Sequence, residues 1–261
     1  MTELVQYECA DRIATLRLNR PEKLNAFTDE MVLALDDALH RFDLDPEAHV
    51  AIIVGNGRAF SSGADVQQRQ LRSREEFERL GGPSGRGAHS GDLLIRSVNW
   101  KPVITAVHGY VLGLAIGIVL DSDLIVAETG TKFQVTEVPR GLGGAVYWGL
   151  LDLKNAGAFG TEVTLTGRYF TAEEALAANV INRVTPEGQY LAVARELAAE
   201  IAANPPLSVR ATVRTRRWYL EQRRRETLMQ QLPWKLHLTE DFQESARAFA
   251  EKRAPKPYRG R

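Results

Sequence analysis

The stretch from Val103 to Asp123, VITAVHGYVLGLAIGIVLDSD, constrains the fold more than any other part of the chain. Val103, Ile104, Ala106 and Val107 form an apolar, β-branched run, His108-Gly109 breaks it, and Gly113 and Gly117 interrupt the apolar residues that follow. That order predicts a buried strand, a tight turn and a helix entered at or near Gly113. A junction of this kind has a chemical use. The first N–H groups of a helix lack intrahelical partners and sit at the positive end of its dipole, so they can hold a developing negative charge. The apolar run from Val111 to Leu120 is about half of the roughly 20 residues a membrane span requires, and it reads as a buried helix. The G-x-x-x-G formed by Gly113 and Gly117 then serves close packing rather than membrane dimerisation.

A second Gly-rich turn follows an upstream strand: VGNGRAFSSGAD, Val54 to Asp65. If it aims one backbone N–H at the site that the first junction serves, the two donors make an oxyanion hole. It lacks the G-x-G-x-x-G spacing of a nucleotide loop. Ser61 or Ser62, His108 and Asp123 could be drawn as a triad, but no nucleophile-elbow sequence accompanies them. Lys plus Arg and Asp plus Glu are equal at 33 each, so no global field favours nucleic acid or an anionic membrane. RTRRWYLEQRRR, Arg214 to Arg225, is locally basic and reads as a solvated or inter-subunit helix face. The single cysteine, Cys9, excludes an intrachain disulfide and a multi-Cys metal site and fits a reducing compartment. With no apolar h-region in the first ten residues, the expected location is the cytoplasm.

In chain order, Leu4 to Cys9 and Ile13 to Leu18 predict a hairpin. Thr28 predicts the N-cap of a helix to about Leu44, with Met31, Leu35, Leu39 and Phe42 on one face. Val50 to Val54 predicts a fully buried strand, and such strands alternating with helices indicate a sheet packed against helices, an α/β fold. Gly81 to Gly91 holds five glycines and a proline in eleven residues and reads as a mobile loop or lid. Strands are expected at Leu124 to Ala127 and Lys132 to Val135, and Gly141-Leu142-Gly143-Gly144 opens a helical run. Later come a helix at AEEALAA, a short INRV strand and a helix over Glu187 to Ala203. From Pro206 to Arg253 helix follows helix, broken at Pro233 and Thr239. A boundary near Asn204 divides a core, residues 1–203, from a helical region, residues 204–261.

The ordered segments RPEKLNAF, GRAFSSGADV, KPVITAVHGYVLG, FQVTEVPRGLGG, LTGRYFTAEEALAANVINRV, NPPLSVRAT and AFAEKRAPKPYRG resemble the enoyl-CoA hydratase/isomerase (crotonase) family over about nine-tenths of the chain. The resemblance implies a crotonase-like spiral of ββα units with a C-terminal helical trimerisation region. It also implies a homotrimer or homohexamer and an acyl-CoA thioester as substrate, with coenzyme A part of the substrate and no separate cofactor or metal. By motif position, the N–H groups of Ala64 and Leu114 would stabilise a thioester enolate. Lys23, Leu24 and Ala26, with Ala64, Asp65, Val66 and Gln67, would line the CoA groove. Lys252 would bring positive charge to the nucleotide phosphates, from its own or a neighbouring subunit.

One departure from the family pattern bears on the chemistry. Hydratases of the family carry two glutamates that hold the water added across the double bond; here the first position is Gly117 and the second is Glu137. A single carboxylate can still move a proton from one carbon to another. The resulting expectation is enoyl-CoA double-bond isomerisation through Glu137, with enoyl-CoA hydration or dehydration as the alternative. Thioester hydrolysis, C–C cleavage and a non-catalytic acyl-CoA binding protein are further readings. The short Gly141–Gly144 loop, where many relatives have Pro-Gly-Ala-Gly-Gly, alters the pocket wall and leaves the acyl chain undefined.

Overall fold

The computed structural model describes residues 3–83 and 91–261. Among these residues nine strands are present: β1 (Val5–Ala10), β2 (Ile13–Leu18), β3 (Val50–Gly55), β4 (Val103–Val107), β5 (Tyr110–Leu112), β6 (Leu124–Glu128), β7 (Lys132–Gln134), β8 (Phe170–Thr171) and β9 (Arg183–Thr185). The α-helices are α1 (Asp29–Leu44), α2 (Val66–Arg69), α3 (Arg74–Leu80), α4 (Leu114–Asp121), α5 (Ala145–Leu153), α6 (Gly157–Thr166), α7 (Ala172–Ala177), α8 (Tyr190–Ala202), α9 (Pro206–Gln231) and α10 (Glu240–Ala250). The predicted lid lies mostly in 84–90, outside the described residues.

Two sheets organise these elements. The larger runs β1-β2-β3-β4-β6-β9, antiparallel only between β1 and β2; the smaller runs β5-β7-β8. The chain therefore repeats one unit: a strand of the large sheet, a short strand of the small one, then a helix, as in β4-β5-α4 and β6-β7-α5. Isolated bridges from Phe27 to Ala64 and from Ser61 to Val111 continue the small sheet toward the upstream Gly-rich turn. This is the spiral of ββα units that the family resemblance implied.

The large sheet is covered on both faces, which explains why β3 is buried at every position. Val50, Ile52, Val54, Ile104, Ala106 and Val126 pack with Ala194, Ala198 and Ala202 of α8. Ala51, Ile53, Val103 and Val107 join the main core with Met31, Leu35 and Phe42 of α1 and Ile116 and Val119 of α4. Alternation along each strand assigns side chains to the two layers. Helix α1 begins where Thr28 predicts: its side chain accepts the Met31 N–H at 3.2 Å. The tail breaks at Leu232–Leu238, and Thr239 caps α10 through the Phe242 N–H.

Two short strands, β5 and β8, were not legible in the sequence. Tyr110–Leu112 is a strand, β5, placed between the turn and α4. Three residues between two glycines show no period of their own, and only pairing with β7 defines them as extended. The predicted Glu187 start of α8 also moves to Tyr190, after a turn in which the Gln189 N–H bonds to the Pro186 carbonyl.

Candidate active site

The two Gly-rich junctions meet. Gly63 lies against the entrance of α4, where an added Cβ would be 2.5 Å from the Leu112 carbonyl oxygen and 3.6 Å from the Leu114 nitrogen. With φ at +90° and no room beside it, position 63 demands glycine. Gly113 caps α4 at φ +49° and has no side chain between Thr136 Oγ1 and Glu137 Oε1. Among the described residues no acceptor pairs with the N–H of Ala64 or of Leu114. Both residues line one cavity of about 960 Å³. Two backbone donors without acceptors thus belong to residues that line one cavity, one of them at the start of a short apolar helix, an arrangement suited to an oxyanion.

A buried network holds the upstream donor in place. Asn25, at φ +53°, donates through its side-chain amide to the Asn56 and Ala59 carbonyls at 2.8 and 2.9 Å. Ser61 Oγ donates to the Asn25 carbonyl at 2.7 Å. Arg20 pairs with Asp65 at 2.8 Å and also donates to the Ala26 carbonyl. These bonds tie the RPEKLNAF loop to the 55–65 turn, and Asn25 is a member that the sequence reading passed over.

Lys23, Ala26, Ala64, Asp65, Val66, Gln67, Leu114 and Glu137 all line the cavity. Leu24 does not: it stands at φ +49° as the cap of a short turn, and its carbonyl accepts the Ser62 N–H at 2.9 Å. Its part is to shape the loop. Lys252 is exposed beyond α10 and lies outside the cavity lining of its own chain. The imagined triad is not assembled: Ser61 bonds to Asn25, His108 Nε2 to the Gly57 carbonyl at 2.9 Å, and Asp123 to Arg216 and Arg217.

Glu137 follows β7 and is brought to the Leu114 side of the cavity by the turn that the Gln134–Gly113 backbone bond anchors. The residue is half-buried and lines the cavity, with its Oε2 atom enclosed. Burial pushes its pKa up to about 7; the Tyr147 hydroxyl and the N–H groups of Thr136 and Glu137 pull in the opposite direction. Oε2 has no hydrogen-bond partner among the described residues. A carboxyl poised near neutrality beside two oxyanion donors can take a proton and return it.

Tyr147, on the first turn of α5, is the site residue the sequence hid. Its pKa is raised well above the ordinary value by burial and by Glu137, so at neutral pH it is a neutral phenol. The basic stretch of α9 is also accounted for within the chain. Arg217 is buried, donating to the Leu94 and Lys101 carbonyls, and Arg224 reaches Asp121 at 2.6 Å.

Comparison with known proteins agrees with this architecture. The enoyl-CoA hydratase/isomerase family model matches residues 8–260. Mevalonyl-coenzyme A hydratase of Aspergillus fumigatus is 35% identical over 253 residues, covering 93% of this chain and 90% of that protein. (E)-benzylidenesuccinyl-CoA hydratase of Thauera aromatica is 33% identical over 261 residues, covering 96% and 97%. The crystal structure of a carnitinyl-CoA hydratase from Mycobacterium avium superposes with a TM-score of 0.84 at 29% identity, over 100% of both chains. A match of this length, on a chain whose two glycine junctions converge as described, places the protein in the enoyl-CoA hydratase/isomerase family, the crotonase superfamily.

Proposed function

We propose that this protein adds water to, or removes it from, the Cα–Cβ bond of an acyl-CoA thioester, with Glu137 as acid/base and the Ala64 and Leu114 N–H groups holding the enolate oxygen. The observation that carries the reading is the position of Glu137: Oε1 lies 3.5 Å from where a Gly113 Cβ would stand, one residue before the Leu114 donor. A thioester oxygen seated on the two N–H groups thus brings its Cα toward the carboxylate. The curated relatives named above are hydratases, which favours water chemistry. Coenzyme A would enter as part of the substrate along Lys23, Ala26 and Ala64 to Gln67, and the enolate needs no further cofactor. We place the enzyme in the cytoplasm, in keeping with its single unpaired cysteine; among the described residues no helix is long and apolar enough to cross a membrane.

Gly117 supports a second reading, double-bond isomerisation, because only one glutamate of the family pair is present. The two are separated by incubation with α,β- and β,γ-unsaturated acyl-CoA esters in deuterated water. Hydration yields a β-hydroxyacyl-CoA; isomerisation interconverts the two esters with exchange at Cα and Cγ and no hydroxylated product. Formation of the isomer alone would overturn the main reading.

A further inference from the structure

Gly117 and Tyr147 share one space. A Cβ on Gly117 would lie 2.9 Å from Tyr147 Cε1, 3.5 Å from Cζ and 3.4 Å from the hydroxyl oxygen. The glycine is therefore not a vacancy in the active site: the phenol ring from α5 has been laid over it. The seven residues Val138–Gly144 turn the chain so that the phenol and the Glu137 carboxylate line the same cavity and act on each other. A ring that merely filled the gap would serve equally well as phenylalanine. Tyr147 is half-buried and lines the cavity, so its hydroxyl is a polar group at an otherwise largely enclosed ring and is available for a polar task there.

We propose that the Tyr147 hydroxyl replaces the second carboxylate, holding the water or the departing β-hydroxyl oxygen between itself and Glu137. This rests on the water chemistry argued above. In the hydration direction the water oxygen bonds to Cβ, one of its protons passes to the Glu137 carboxylate, and the double-bond electrons move onto the thioester as an enolate. Glu137 then delivers that proton to Cα, so one H and one OH from a single water are added. Tyr147 keeps its own proton and donates a hydrogen bond to the oxygen. In the reverse direction the same bond stabilises the hydroxide character that develops as C–O breaks, a step at which a neutral donor is better suited than a carboxylate. The charged groups around the phenol are engaged elsewhere: Arg224 with Asp121 and Arg69 with Asp29.

The test is Tyr147→Phe, which keeps the ring and removes the hydroxyl. Two reactions are followed: hydration of a panel of short-chain, medium-chain and aryl α,β-unsaturated acyl-CoA esters, and Cα proton exchange of the matching saturated esters in deuterated water. The expected result is a fall in hydration kcat on the order of 10²-fold, the scale for losing one positioned donor. Exchange, which needs only Glu137 and the two N–H groups, stays within a few-fold, and its acid limb moves to higher pH because the phenol no longer holds the Glu137 pKa down. Wild-type hydration that survives Tyr147→Phe, or equal losses in hydration and exchange, would overturn the role of Tyr147 and leave the proposed function standing. A wild-type enzyme that exchanges Cα but hydrates none of the esters would overturn both.

Discussion

Glu137, the proposed acid/base, has a protonation equilibrium with a stability signature that can be checked without knowing the substrate. Its folded pKa of about 7 lies above the ordinary 4.5. The folded state therefore binds the extra proton between those values, and its advantage is complete below about pH 4.5 and lost as pH rises through 7. Glu137→Gln removes the ionised form. The variant should be more stable than the wild type at pH 8, by on the order of 3 kcal/mol, and so melt at a higher temperature, and the gap should close below pH 5. The same variant should lose about 10²-fold or more in turnover while retaining acyl-CoA affinity, since proton transfer by a positioned side chain contributes that much. Calorimetry at two pH values and a turnover assay with one ester check both. Lys252 makes a separate case. It is exposed beyond α10; we propose that it meets the nucleotide phosphates in a site completed by a neighbouring subunit, so Lys252→Ala should weaken CoA binding and flatten its salt dependence. Unchanged affinity in a titration across ionic strengths would remove Lys252 from the site.

At the scale of elements, the entrance to α4 is the least forgiving part of the chain. Gly113 combines φ +49° with direct contact to Thr136, so Gly113→Ala is strained in backbone and in space. Loss of both thermal stability and turnover is expected, with the turnover loss larger, because the Leu114 N–H moves with the cap. Thr28 at the start of α1 is the control: Thr28→Ala should cost about 1 kcal/mol of stability and leave kcat unchanged. Chemical denaturation of the two variants separates a cap that holds a helix from one that aims a donor. Glycine at 117 is explained by a different neighbour, the Tyr147 ring. Gly117→Glu therefore displaces that ring before it can supply a carboxylate.

For the whole molecule, the end of the chain presents more apolar surface than water favours. Trp218, Tyr219, Met229, Leu232 and Trp234 are exposed, between 54% and 73%. They stand on α9 and the turn after it, a helix whose inner face is tied down by Arg217 and Arg224 to the Asp121–Asp123 end of α4. We propose that residues 204–261 assemble the enzyme into a trimer or hexamer through this surface. Light scattering at micromolar concentration should report one of those masses, and Trp234→Asp paired with Met229→Asp should shift it toward monomer. A monomeric wild type would reject the assembly.

How much of this was legible beforehand follows from where each signal resides. The hairpin, the Thr28 cap, the buried β3, the helix entry at Gly113 and the breaks at Pro233 and Thr239 are local: period, cap and turn chemistry act over a few residues, so they can be read from the chain alone. The ordered motifs placed Ala64, Leu114 and Glu137 in one family pattern for the same reason. Gaps between positions could not reveal what contacts what. Asn25 becomes a staple only because the turn at 55–60 folds over it. Leu24 leaves the groove because a left-handed turn uses it as a cap. Gly117 reads in the sequence as a missing carboxylate. Only the packing of α5 on α4 puts a phenol in that place, since two residues thirty apart share a site through tertiary contact and not through any pattern along the chain.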